Sequence, residues 1–196
     1  MVLAGVVVLC CCGVAQRNIT SYDVVVISGI DTKVLVRLVA DPEPWTFRSL
    51  GEALGMDPAA VHRSVARLKE ARLLDGDRRV NRSAAEEFLI HAVAYLAPVE
   101  PGALVRGMPT AWAAEPLRAL VADDGEPLPV WPDPRGEVRG QAIEPLAEGV
   151  IDLSKADPGL YGWFALIDGI RIGRARERKL AAEELSRRIW SGTDAS

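Results

Sequence analysis

The strongest constraint in this 196-residue sequence is a helix stop followed at once by a helix start: Gly55 ends one apolar-periodic segment, and Asp57-Pro58 opens another. Glycine tolerates the left-handed backbone on which helices end. Aspartate accepts a free backbone N–H of a first turn, and proline loses nothing there because it has no N–H to leave unpaired. Thr46 caps the first segment, whose apolar side comprises Phe47, Leu50, Ala53 and Leu54. The second is predicted to run to about Ala71 with Val61, Val65 and Leu68 inward, leaving Ala59, Ala60, His62, Arg63, Ala66 and Arg67 on more exposed faces. The small Ala53 is expected to let the two helices approach closely across the Gly55 turn.

Both flanks extend this unit. From Asp31, Val34, Leu35, Leu38 and Val39 recur at helical spacing until Asp41-Pro42-Glu43-Pro44 stops the pattern. Downstream, Leu73-Leu74 should return to the core, Asp75-Gly76-Asp77 should turn, and Arg78-Arg79-Val80 should form a short return strand. Ser83 is the expected cap of a fourth helix through about Tyr95, with Ala84, Phe88, Leu89, Ala92 and Leu96 as its apolar side. Pro98 and Pro101 close the unit.

The run Ser49-Leu50-Gly51-Glu52-Ala53-Leu54-Gly55-Met56-Asp57-Pro58-Ala59-Ala60-Val61-His62-Arg63-Ser64-Val65-Ala66-Arg67-Leu68 resembles the helix-turn-helix of MarR-like winged-helix regulators. The resemblance extends through Leu73-Leu74 and implies that the Asp57 to Ala71 helix is a recognition helix in the major groove of double-stranded DNA, in a homodimer. It departs from the family in its wing, because few residues separate Gly76 from Ser83. Local charge is consistent with the resemblance: residues 46–82 carry net +3 within a chain of net −4. Base-edge or phosphate contacts are expected from Ala59, Ala60, His62, Arg63 and Arg67, and backbone contacts from Arg48, Arg78, Arg79 and Arg82.

The sequence beyond residue 97 has a different texture. A short helix is predicted from Thr110 to Val121, and the Pro- and Gly-rich stretch from Asp123 to Gly140 reads as an ordered loop or irregular hairpin. Two further helices follow, Pro158 to Ile172 and Arg174 to Trp190. Tyr161, Trp163, Phe164, Leu166, Ile167, Ile170 and Ile172 supply either a core or a dimer interface. Trp112, Trp131 and Trp163 serve packing or line a ligand cavity. The basic run Arg171, Arg174, Arg176, Arg178 and Lys179, followed by Glu183 and Glu184, reads as a solvated helix with ion pairs.

Enzyme chemistry has little foothold. Only His62 and His91 are present, and no CxxC, HExxH, GxGxxG or phosphate-loop pattern occurs, so neither a cofactor nor a metal is expected. Asp133, Glu137 and Glu144, near Arg135 and Arg139, read as surface salt links. The three cysteines, Cys10 to Cys12, are adjacent and cannot staple distant segments, a pattern that fits the cytoplasm. The apolar stretch Val2 to Val14 resembles the central region of a signal peptide, but it lacks a preceding Lys or Arg and is too short to span a bilayer, so the favoured reading is a poorly ordered or mis-annotated extension ahead of a translation start near Val24-Val25-Val26. Asn18-Ile19-Thr20 and Asn81-Arg82-Ser83 match glycosylation triplets by chance.

The expectation is a mainly α protein with a small β-wing. Residues 1–29 form an extension, 30–97 a winged helix-turn-helix, and 98–196 a loop-rich helical region for dimerisation or partner binding. The expected function is that of a bacterial-type, DNA-binding transcription regulator. The rival is a protein-binding adaptor or antitoxin-like module whose C-terminal half holds a protein partner.

Overall fold

The computed structural model describes residues 26–121 and 125–191. The N-terminal apolar run, the cysteine triplet, Asn18 and Asp123 lie outside them. The fold is mainly helical with one small three-stranded sheet.

Helix α1 (Gly29–Ala40) begins two residues ahead of the apolar spacing, because Ser28 and Asp31 cap each other. The Ser28 amide donates to Asp31 Oδ2 at 2.9 Å, and the Asp31 amide donates back to Ser28 Oγ at 3.4 Å. Helix α2 (Phe47–Leu54) starts from a similar reciprocal cap between Thr46 and Ser49 and ends at Gly55, whose φ of 61° and ψ of 38° are left-handed as expected. The residue that allows the close turn is Gly51, not Ala53. A Cβ on Gly51 would lie 2.7 Å from the Met56 carbonyl oxygen, whereas Ala53 is exposed. In helix α3 (Pro58–Glu70), Asp57 accepts the Ala59 amide at 2.8 Å, and Val61, Val65 and Leu68 are buried.

The expected return strand is reduced to a single bridge between Leu74 and Val80. Arg78 has a φ of 65°, which turns the chain out of extended geometry and leaves too little length for a ladder before the next helix. Helix α4 (Arg82–Glu87) is capped by Asn81, not Ser83. Asn81 holds an extended backbone and accepts the Ala84 amide at 3.2 Å. The helix passes through a π turn at Phe88–Ala92 into α5 (Val93–Leu96), and its fully buried residues are Ala85, Leu89 and Val93. That face is rotated one position from the expected Ala84, Phe88 and Ala92, which are half-buried.

Strands β1 (Leu104–Pro109), β2 (Pro129–Pro132) and β3 (Val138–Ala142) close a small barrel. β1 pairs antiparallel with both others, and β2 and β3 are parallel, so the stretch read as a hairpin is a crossover between parallel strands. The predicted Thr110 to Val121 helix is two 3₁₀ turns, Ala111–Ala113 and Leu117–Ala119. Pro116 in its middle lacks an N–H, and its ring would clash with the carbonyl four residues back.

Helices α6 (Val150–Ala156), α7 (Pro158–Ile172) and α8 (Ala175–Ser191) complete the chain. α7 has the boundaries predicted from sequence and is capped by Asp157. Its Leu160, Trp163, Phe164, Leu166, Ile167 and Ile170 are buried in one cluster with Leu35 of α1, Leu68 of α3 and Leu89. The apolar stripe of α7 is therefore committed to the chain's own core. Trp131 and Trp163 are also core residues, and Trp112 packs against them half-buried. Among the described residues no helix is long and apolar enough to cross a membrane.

Candidate nucleic-acid interface

Nine residues were singled out by sequence, and the structure separates them into three groups. The first lies on the outward side of α3. Ala59, His62 and Arg63 are exposed and Ala60 is half-buried, all opposite the Val61–Val65–Leu68 stripe. Arg63 makes no ion pair or hydrogen bond with any described residue, so its guanidinium is available. The His62 ring packs against Phe47 with centroids 4.9 Å apart and planes at 58°. Phe47 in turn meets Trp45 edge-on at 5.6 Å.

The second group surrounds the turn between α3 and α4. The Arg78 guanidinium stands over Trp45 at 5.2 Å and Phe47 at 5.4 Å, within range of attraction to both ring faces. Three elements thus meet at one aromatic cluster: the chain entering α2, the first half of α3, and the 75–80 turn. Arg78 and Arg79 also line a groove of about 710 Å³ with Trp45 and Arg82. Arg79 is exposed, with its amide on Asp75 Oδ1 at 2.9 Å, so the turn is closed by backbone bonds and leaves the side chain outside. Arg82 donates to the Ile189 carbonyl, and Arg48 lies apart on α2 in an exposed pair with Glu52 at 3.3 Å.

Arg67 forms the third group, and its environment differs from the outward side chain expected. Its Nε donates to Asp31 Oδ2 at 2.9 Å and its Nη2 to Asp31 Oδ1 at 2.6 Å, a two-pronged pair that ties α3 to the start of α1. Ser64 also donates to Asp31. Burial pushes the Asp31 carboxyl up, but the hydrogen bonds from Arg67, Ser64 and Ser28 together outweigh it and hold the group below the usual aspartate value. The same bonds raise Arg67 further. Arg67 therefore ties α3 to α1, and the side chains that α3 leaves exposed near its start are Ala59, His62 and Arg63.

Sequence reasoning missed Trp45 as part of this surface and missed Asp31 altogether. The Trp45-Thr46-Phe47 triplet was a visible signal for the first, since two aromatics flanking a helix cap have little core to enter. Asp31 was masked by its position, at the point where the apolar pattern began.

The region after residue 97 holds a second polar cluster. Asp168 of α7 accepts from Thr110 Oγ1 at 2.7 Å, Trp131 Nε1 at 2.6 Å and Arg171 Nη1 at 2.6 Å, while Arg171 also donates to the Ala97 and Glu144 carbonyls. All are buried, and burial pushes the Asp168 carboxyl above its usual value against the pull of Arg171. The cluster joins the sheet to α7. Arg171, read as a solvated helix residue, is thus a core residue. Asp133, read as a surface acid beside Arg135, is buried and pairs instead with Lys155 at 2.5 Å. Among the described residues no group of three or more His, Cys, Asp or Glu is placed to hold a metal.

No family model matches this chain, and no curated protein or solved structure is significantly similar to it.

Proposed function

We propose that the chain binds double-stranded DNA through the outward face of α3, as a winged helix-turn-helix transcription regulator with a minimal wing. The observation that carries this reading is the combination on one surface of an unpaired Arg63 with the Trp45–Phe47–His62 cluster under Arg78. A helix anchored by Val61, Val65 and Leu68 presents short Ala59 and Ala60 in its first turn, which lets a duplex approach the helix N-terminus closely. Arg63, one turn on from Ala59, has the length and the planar fork to reach a guanine edge or a phosphate. Arg78 and Arg79 flank it at the position of a wing and serve the backbone. Arg67 supports the reading helix from behind, through Asp31.

The test is fluorescence anisotropy of the chain from Val24 onward on DNA from upstream of its own gene, with scrambled duplex as control, across a salt series. The expected result is a salt-sensitive preference for the upstream DNA that Arg63→Ala weakens by about 1–3 kcal/mol while folding stability changes by less than about 0.5 kcal/mol. Equal binding to both duplexes at every salt concentration by folded protein overturns the reading.

A further inference from the structure

The small sheet carries a second cationic surface that the reading helix does not use. The dipeptide Arg-Gly occurs at Arg106-Gly107 in β1, Arg135-Gly136 in the crossover and Arg139-Gly140 in β3. Their backbones converge. Arg106 and Arg139 are direct cross-strand partners in the antiparallel β1–β3 register, and Gly136 lies so close to Gly107 that a Cβ on it would come within 2.3 Å of the Gly107 carbonyl carbon and oxygen. Gly107 and Gly140 face inward, where a Cβ would strike the Trp131 and Leu128 carbonyls at 2.1 Å. The strand alternation then places Arg106 and Arg139 together on the outer face.

Two like charges set directly opposite each other on a sheet repel, and among the described residues no acid pairs with either of them. None of the three guanidiniums makes a hydrogen bond or ion pair with a described residue, and all three residues are exposed. The nearby acids are otherwise placed. Asp133 is taken by Lys155, with Arg135 adding only a longer-range pull on it; Glu144, Glu148 and Asp152 line the same pocket as Arg135 without an ion pair to it, and Glu137 is exposed and bridges to none of the three. Their glycine neighbours and the pairing of their strands fix where the side chains leave the surface, so the repulsion is built in and not relieved by backbone movement.

We propose that Arg106 and Arg139, with Arg135 beside them, form a phosphate-binding surface that contacts the backbone of duplex DNA, without reading its sequence. This rests on the DNA-binding reading of α3. Three arginines and no lysine suit the planar, two-pronged recognition of phosphate oxygens. The phosphates of a duplex form a dense, regular array of negative charge, which an exposed and unpaired arginine pair complements.

The test compares the full chain with Arg106→Gln/Arg139→Gln on two duplexes, upstream and scrambled, across a salt series. Circular dichroism confirms the fold of the variant. Losing two phosphate contacts should lower the slope of log affinity against log salt by about 1.8 on both duplexes, with the ratio of their affinities unchanged. Arg106→Lys/Arg139→Lys should restore most of the slope. Wild-type binding with an unchanged slope in the Gln variant overturns this proposal and leaves the α3 reading intact, whereas wild type that binds neither duplex overturns both. If polyglutamate displaces duplex as well as unlabelled DNA does from wild type, and the Gln variant no longer binds it, the surface belongs to an acidic protein and the proposal fails.

Discussion

The helical region before residue 97 and the sheet-bearing region after it each hold an aspartate–arginine pair, and the two behave in opposite ways. Asp31 is fully buried but its partner Arg67 keeps 36% of its side-chain surface in solvent. Asp168 and Arg171 are both buried, with 1% and 3% exposed. In the first pair hydrogen bonds overcome the desolvation of the carboxyl, and in the second they do not. The direction differs because Asp31 is less deeply desolvated and receives five donor contacts, whereas Asp168 is wholly enclosed and receives three. The first pair ties α3 to the start of α1 at the edge of the core; the second lies wholly inside it.

The most severe break is Asp168→Ala. It strands a guanidinium with no carboxylate in the core and should cost roughly 3–5 kcal/mol in urea unfolding. A loss below about 1 kcal/mol would show that Arg171 finds enough compensation in the Ala97 and Glu144 carbonyls. Arg67→Ala comes next, at about 1–3 kcal/mol, because Ser64 and Ser28 still serve Asp31. Its DNA affinity should fall with stability, whereas Arg63→Ala should lower affinity alone, and differential scanning calorimetry beside anisotropy separates the two.

The pH dependence sharpens the contrast. Asp31 has a lowered folded pKa, so its contribution is present above 3.8 and is lost as pH falls through the folded value. Asp168 has a raised folded pKa, so between 3.8 and that value the native state binds more protons than the unfolded chain, and stability falls as pH rises. The stability gap between wild type and Asp31→Asn should therefore widen up to about pH 3.8 and then level off. The corresponding gap for Asp168→Asn should shift against wild type as pH climbs above 3.8. Parallel curves would show that the two acids do not differ in the stated way. The smallest effect belongs to Arg48–Glu52, a pair 85% and 70% exposed, where Arg48→Ala should change stability by less than about 0.5 kcal/mol.

What the sequence disclosed follows the range of the forces involved. Thr46, Gly55, Asp57-Pro58 and Asp157-Pro158 act within one turn of themselves, so the starts of α2, α3 and α7 could be read directly. Asp168 was hidden inside an apolar stripe, because its partner Trp131 comes from a four-residue strand and Thr110 from the single residue between β1 and the following 3₁₀ turn, neither of which has a periodicity to read. Arg67 and Arg63 look alike in sequence, one helical turn apart. Only the packing of α1 against α3 distinguishes the clamp from the free side chain. In α4 the buried face already starts at Ala85, one residue after the expected Ala84, because alanines at both positions give the apolar spacing no means to choose between them.

The packing of α8 on α4 has a consequence in time. Arg82 bonds to the Ile189 carbonyl 107 residues further on, and Glu86 receives Ser186 and Trp190 across 100 and 104 residues. At roughly 5–20 residues per second of ribosomal synthesis, that separation corresponds to about 5–20 seconds. During that interval the nascent chain has already made α3 and its arginines, while the side of α4 that α8 will cover is still open to water and to other chains. A chain assembled in this order has α3 in place well before α8 can cover α4, so one that stops short of residue 175 would carry α3 with that side of α4 uncovered.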